Sequence, residues 1–383
     1  MNLKQMLVEM QNRRASDLHI RVGNRPHLRV NGLLEEITTD PVTIDLMDQI
    51  VSQILNENQQ ERFHRKHEMD LALSVAKLGR FRVNLYRQRG TSGVALRAVN
   101  TIVPSFEELN LPDVVKSLAE AQRGLVVITG TTGSGKSTTL ASLIEAMNAS
   151  SAVNILTVED PIEYIYRDKK SLISQREVGG DTESFASALR HAFRQDPDVI
   201  LIGEVRDLET MSIALTAADT GHLVLTTLHT LNVVETITRI ISFFPPHQQQ
   251  QIRLLLGGTL KAIVCQRLLA RADMPGRVPA LEIMINSGAI RECILDPEKT
   301  VEIPDLLEQG TVQYGMQTFD QSIMKLHKQG LISFEEAMAN ATNPDDFDLR
   351  IRGITGSADR WDDETKGVDS SAGEGMGQDF NKY

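Results

Sequence analysis

The sequence predicts an α/β fold: a parallel-sheet domain built to hold phosphate, preceded by a smaller α+β domain. Three observations carry this reading. Residues 125–137, LVVITGTTGSGKS, join a short apolar run to a full match of the pattern G-x-x-x-x-G-K-[ST], and the helix-compatible TTLASLIEAMN follows. From Gly124 onward, apolar strand patterns alternate with helical ones, as they do when helices cross between parallel strands. Before that point, short alternating runs are separated by turn dipeptides, the pattern of antiparallel strands.

In chain order, residues 1–15 read as an amphipathic helix. Residues 16–22 (SDLHIRV) and 27–34 (HLRVNGLL) read as strands around turns at Gly23-Asn24-Arg25-Pro26 and Asn31-Gly32. Residues 43–66 read as one helix, with Ile44, Met47, Ile50, Val51, Ile54 and Leu55 on one face. Three further strands are expected at 70–75, 79–87 and 92–99, closing an α+β domain over residues 1–100. Its positive charges gather on adjacent strands as Arg80, Arg82, Arg87, Arg89 and Arg97. Arg80 and Arg82 share one face of a strand. The residues alone leave two readings open, a solvated edge that blunts aggregation or a surface that faces an anion.

Residues 101–123, with Pro104 and Pro112, read as a linker and lead-in helix. The second domain then runs over residues 124–352. Strands are expected at 125–129, 154–158, 198–204 and 221–230, helices at 182–196, 208–220, 232–244 and 247–265, and a terminal strand pair at 265–269 and 278–285. Residues 287–352 read as short helices with polar loops. Residues 353–383, rich in Gly, Ser and Asp with almost no aliphatic side chains, read as a disordered acidic tail.

Composition bounds the function. Hydrophobic residues make up 41% of the chain, enough for ordinary globular cores, and no apolar run approaches the length of about 20 that spans a bilayer. The N-terminus reads as a helix and not as a signal peptide, so the chain reads as cytoplasmic. The net charge of −11 and an aromatic content of 4% leave little for binding or stacking a nucleic acid, and none is expected as a partner. Cys265 and Cys293 have no metal spacing and read as buried reduced thiols.

The chemistry concentrates after strands. In residues 130–137 the glycines let several backbone N–H groups converge on one phosphate, and the following helix adds its positive N-terminal end. This assigns Gly130, Thr132, Gly133, Ser134, Gly135 and Thr138 to the cradle. Lys136 goes to the β- and γ-phosphates and Ser137 to Mg²⁺, so the expected ligands are ATP and Mg²⁺. Residues 154–158 end in Glu159-Asp160-Pro161-Ile162-Glu163, where a carboxylate can orient the water that attacks a γ-phosphate. The strand at 198–204 ends in Glu204, the acid expected beside the Mg²⁺ of Ser137. The strand at 221–230 lies between His222 and His229. For both histidines a structural hydrogen bond is the plain reading. A sensor of nucleotide state is the sharper one for His229, at the strand's C-terminal end.

Together S-D-L-H-I (16–20), G-T-T-G-S-G-K-S (130–137), T-V-E-D-P-I-E-Y (157–164), L-I-G-E-V-R-D (201–207) and G-H-L-V-L-T-T-L-H-T (221–230) resemble the secretion and type IV pilus ATPases, in particular the twitching-motility retraction ATPases of the PilT/PilU type. The resemblance covers about residues 1–352. It implies a PAS-like N-terminal domain and a RecA-like P-loop ATPase domain, assembled as a homo-hexamer. Glu163 becomes the general base, Glu204 the acid of the Mg²⁺ site, and His222 and His229 the sensors. The resemblance also favours the anion-facing reading of the arginines: Arg82 and Arg97 would reach the γ-phosphate of an adjacent subunit. The implied partners are the inner-membrane pilus platform protein, with the ring peripheral to that membrane, and a paralogous retraction ATPase. Residues 315–322 and 348–352 look PilU-like, residues 206–224 look PilT-like, and Ala289-Ile290-Arg291-Glu292-Cys293 departs from the A-I-R-N-L of PilT at two of five positions. The resemblance therefore leaves the PilT and PilU roles both open. A pilus-assembly or type II secretion ATPase is the more distant alternative, since those chains carry an extra N-terminal domain and a four-cysteine zinc module.

Overall fold

A computed structural model describes residues 1–30, 32–38 and 40–352. Two sheets organise it. The first contains β1 (Asp17–Arg21), β2 (His27–Val30), β3 (Leu33–Glu36), β4 (Glu68–Val75), β5 (Gly79–Gln88) and β6 (Thr91–Ala98) in the order β3-β2-β1-β6-β5-β4, with every pair antiparallel. Helices α1 (Leu3–Asn12), α2 (Ile44–Ile54) and α3 (Glu57–Lys66) cover one face, where Met6, Met47 and Phe63 share a core with Leu18, Ile20 and Leu85. The alternation of strand side chains sends Asp17, Arg82 and Arg97 to the other face. The helix expected over 43–66 is in fact two helices. Leu55 is extended, and the Asn56 side chain accepts from the Gln59 N–H in a capping box that starts the second helix. An Asn that can cap a helix start competes with continuing the helix before it.

The linker carries α4 (Asp113–Ser117) and one 3₁₀ turn, Leu118–Glu120. The second sheet contains β7 (Gly124–Thr129), β8 (Asn154–Glu159), β9 (Leu172–Glu177), β10 (Val199–Ile202), β11 (Leu223–Leu228), β12 (Leu260–Ala270) and β13 (Arg277–Ile285), in the order β13-β12-β7-β11-β10-β8-β9. All neighbours are parallel except β12 and β13. Helix α5 (Lys136–Ser150) packs with the linker on one face, through Leu143 and Ile144 against Val115 and Leu118. On the other face, α6 (Phe185–Ala192), α7 (Leu208–Asp219), α8 (Val233–Ser242) and α9 (Pro246–Thr259) share a core with the short C-terminal helices, through Leu189, Met211, Ile237, Leu256 and Phe319. Buried on both faces, β7, β10 and β11 are largely apolar, which is why they read as near-continuous runs, and the buried Thr226 and Thr227 of β11 donate to the Ile202 and Gly203 carbonyls.

The helix expected over 247–265 stops at Thr259, and residues 260–265 belong to β12 beside β7. Gly257 and Gly258 weaken the helix end, and Ile263 and Val264 favour the strand that the central sheet can pair. Cys265 and Cys293 are free and buried, and burial pushes both thiols up. The expected tail at 353–383 lies outside the described residues. Among the described residues no helix is long and apolar enough to cross a membrane.

Candidate active site

Parallel strands bring their loops to one edge of the sheet, and the sequence-expected groups arrive there in strand order. The loop 130–135 follows β7, His229 follows β11, Glu204 follows β10, and β8 ends in Glu159 with Asp160 to Glu163 after it. This is the carboxyl edge at which open α/β sheets bind ligands.

The loop 130–135 is shaped by close approach. Gly130 has φ +141° and Gly135 φ +92°. A Cβ on Gly130 would run into the Gln266 carbonyl, and one on Gly135 would lie 2.7 Å from Gln266 Nε2. Gln266 of β12 also accepts from Thr139 Oγ1 at 2.8 Å, so it braces the loop and the first turn of α5 together. Lys136 Nζ donates to the carbonyls of Gly130 at 2.9 Å and Thr131 at 3.0 Å, and burial lowers its pKa. Ser134 is buried, and its hydroxyl has no hydrogen-bond partner. Thr132, Gly133 and Ser137 are exposed on the loop and the first turn. Thr138 is 3.2 Å from the Tyr164 hydroxyl. Beside Gly135 and Thr138 opens a cavity of about 280 Å³, lined by Leu109, Leu111, Gln266, Leu268, Arg277 and Val278.

At the acids, His229 Nε2 lies 3.2 Å from Glu204 Oε2, and Arg206 pairs with the other Glu204 oxygen and with Asp160 at 3.5 Å. Partial burial, then the charges of Lys136 and Arg206, hold the His229 pKa below the ordinary imidazole value. Glu159 is buried. Its carboxylate accepts from Thr157 Oγ1 at 2.7 Å and from the Glu163 N–H at 3.4 Å, and desolvation raises its pKa. It therefore holds the loop, while Glu163 stands out from it half exposed.

The N-terminal domain meets the second domain at this loop. Arg82 pairs with Glu163 at 2.8 Å and donates to the Ile162 carbonyl at 3.3 Å. Arg80 pairs with Glu177 at 3.1 Å, which also accepts from the Ile162 N–H. Arg97 lies directly opposite Arg82 across the β5–β6 pair, but its own partner is Asp17 at 2.7 Å. Two arginines face to face repel, and Asp17 and Glu163 offset that repulsion from either side of the row. Within one chain Arg97 thus stays on its own sheet. His222 also stays away from the site. It sits at the N-terminal end of β11, opposite the phosphate loop, 3.0 Å from the Ala217 carbonyl and edge-on to Phe193. Gln266, Glu177 and Tyr164 were not expected here. Tyr164 lies within the 157–164 motif, and a signal for Glu177 would have been its place at the end of β9, the weak one that any strand-ending acid gives.

Ser137 and Glu204 offer a hydroxyl and a carboxylate, oxygen donors that suit Mg²⁺. Among the described residues no cluster of three or more His, Cys, Asp or Glu could hold a metal unaided, so phosphate oxygens would have to complete the shell.

A glycine-shaped loop, an acid-ended strand and a histidine-ended strand on one sheet edge, with a separate α+β domain resting on that edge, fit an ATPase of the secretion and pilus class. The chain belongs to the Type II/IV secretion system protein family, whose model matches residues 1–339. It is 41% identical over 369 residues to the type IV pilus ATPase PilU of Pseudomonas aeruginosa, covering 96% of each chain. It is 40% identical over 347 residues to the type IV pilus retraction ATPase PilT of the same organism, covering 91% of this chain and 100% of that one. The crystal structure of the pilus retraction motor PilT with bound ADP matches with a TM-score of 0.83 at 41% identity, over 90% of this chain and 98% of that one.

Proposed function

We propose that this protein is a type IV pilus retraction ATPase, a hexameric motor that hydrolyses ATP to ADP and phosphate and uses the energy to drive retraction and twitching motility. One observation carries the reading: Lys136, His229, Glu204 and Glu163 lie along one sheet edge, and an arginine of the neighbouring domain is already bonded to Glu163.

In this account the loop 130–137 holds the triphosphate and the cavity beside Gly135 takes the nucleoside. A phosphate draws Lys136 off the Gly130 and Thr131 carbonyls. Ser137 and Glu204 would hold Mg²⁺, which neutralises charge developing on the phosphate oxygens. Glu163 takes the proton of the water that attacks the γ-phosphorus, and ADP leaves. Glu163 can do this only when Arg82 lets go of it. Arg82 then serves the γ-phosphate of an adjacent subunit, with Arg97 behind it in the same row, and His229 registers the loss of phosphate through Glu204. Once phosphate leaves, the charge that held the N-terminal domain closed is gone and the domain swings, a local electrostatic event with a global readout. The moving ring acts on the inner-membrane platform protein, peripheral to the membrane. In this scheme His222, at the far end of β11, acts only through the packing of α7 and β11.

The test is retraction in cells that lack their own retraction ATPases. Restored retraction by this protein alone supports an autonomous motor. Restoration only beside a second retraction ATPase supports the PilU-like role. Restored pilus assembly in cells without an assembly ATPase, with no retraction, would overturn the reading.

A further inference from the structure

One strand holds the main chain on both sides of Glu163. β9 lies at the edge of the second sheet, with its Gln175 and Glu177 in register with Thr157 and Glu159 of β8. Gln175 and Glu177 are two residues apart, so their side chains leave the same face of the strand. Glu177 is buried, and its Oε2 accepts from the Ile162 N–H at 3.3 Å, just before Glu163. Gln175 takes the residues just after it. Its Nε2 donates to the Tyr164 carbonyl at 2.8 Å, and its Oε1 accepts from the Tyr166 N–H at 3.0 Å. The same Nε2 lies 3.4 Å from Glu159, the carboxylate that accepts from the Glu163 N–H. Tyr164, gripped by Gln175, reaches Thr138 with its hydroxyl in the first turn of α5, one residue beyond Ser137. Between these holds the Glu163 side chain stands 47% exposed. A fixed main chain under one projecting carboxylate suits a proton acceptor, because its reach to the attacking water is then set before the nucleotide arrives.

We infer that Gln175 and Glu177 are positioning residues for hydrolysis: together they clamp the main chain on both sides of Glu163 and so set the place of its carboxylate relative to the nucleotide held by loop 130–137. The inference rests on the ATPase reading, with Glu163 as its base, and deepens it. Gln175 suits its post because an amide carries both a donor and an acceptor, and the Tyr164 carbonyl and the Tyr166 N–H need one of each. Glu177 has only to accept. Arg80 of the N-terminal domain meets the same Glu177 oxygen at 3.1 Å and gives the buried carboxylate its counter-charge. Both residues act through Glu163 and not on the nucleotide.

The test measures kcat, KM and ATPγS affinity, with Mg²⁺, for full-length wild type, Gln175→Ala, Glu177→Ala, Glu177→Gln and Glu163→Ala, and for each clamp Ala variant combined with Glu163→Ala. A displacement of about 1 Å can cost about a hundredfold, so kcat should fall roughly tenfold to a hundredfold in Gln175→Ala and in Glu177→Ala. KM and ATPγS affinity should stay within about threefold of wild type, the signature of a loss confined to the transition state. Glu177→Gln keeps an acceptor for the Ile162 N–H and should recover most of the loss. Where the Glu163 carboxylate is already gone the clamp has nothing to position, so adding Gln175→Ala should change the residual rate by less than about twofold. If Glu177→Ala does not fold, Gln175→Ala, which breaks no ion pair, decides alone. Turnover of Gln175→Ala within about twofold of wild type, an equal fractional loss with and without the Glu163 carboxylate, or a matching loss of ATPγS affinity would overturn the inference and leave the ATPase reading intact. Wild-type turnover in Glu163→Ala would remove the base and the inference with it.

Discussion

Arg82→Ala separates the structural from the catalytic use of one side chain. As structure, Arg82 contributes a single bridge to Glu163 between groups 27% and 47% exposed. Such pairs contribute about 0–1 kcal/mol. The Arg80–Glu177 bridge and the backbone contact of Ile165 with Asn100 still hold the two domains together. For a domain of this size, 1 kcal/mol corresponds to roughly 2–4 °C, so the unfolding midpoint should fall by no more than about 4 °C. If it serves as an arginine finger, the same side chain would contribute about 10³–10⁵ in turnover, or upwards of about 4 kcal/mol of transition-state stabilisation. The assays are calorimetric unfolding and steady-state phosphate release above the concentration at which rings assemble. Mixing identifies whose phosphate Arg82 serves. A Glu163→Ala subunit keeps its arginine, and an Arg82→Ala subunit keeps its base, so mixed rings should contain some complete sites and regain activity that neither variant has alone. Turnover of Arg82→Ala within threefold of wild type, or a mixture no more active than the sum of its parts, would refute the reasoning.

Two further outcomes follow from local chemistry. Glu282 of β13, whose carboxylate accepts from the Val233 N–H at the start of α8 at 2.7 Å, is raised by burial from 4.5 to about 7. The folded chain therefore holds a proton there that the unfolded chain releases above its lower pKa, so this group costs stability progressively as pH rises from about 4.5 to about 7. At full effect the cost is roughly 3 kcal/mol. Glu282→Gln keeps an acceptor for Val233 without the charge, and denaturant unfolding should find it more stable than wild type at pH 8 and nearly equal at pH 4.5. The same difference at both pH values would remove the assignment. Gly130→Ala places a Cβ against the Gln266 carbonyl at φ +141°. It should weaken nucleotide binding more than tenfold in a chain that still unfolds cooperatively, and wild-type affinity would show that the loop tolerates a side chain there.

The sequence was most legible where function and backbone geometry coincide. The loop 130–135 has glycine at fixed offsets, and β10 and β11 are buried on both faces, so Glu204 and His229 could be placed at a strand end from pattern alone. Pairing across the fold was not legible. Nothing in the spacing of Asp17, Arg82 and Arg97 tells that cross-strand register sets all three in one row, so that Asp17 takes Arg97 and Glu163 takes Arg82. His222 and His229 look equivalent as brackets of one strand. Strand direction separates them, putting one at the ligand edge and the other beneath α7. Gln266 escaped notice because its use is partly through its backbone, whose carbonyl lies against Gly130. The boundary at residue 260 was missed because an apolar run after a helix fits either structure until β7 offers it a partner.

The most direct test is ATP hydrolysis by the purified full-length protein alone, across a range of concentrations, beside Glu204→Ala. The account predicts turnover that rises as rings form and disappears in the variant while nucleotide binding persists. Wild-type protein that binds ATP and forms rings yet releases no phosphate, or a Glu204→Ala variant as active as wild type, would contradict it.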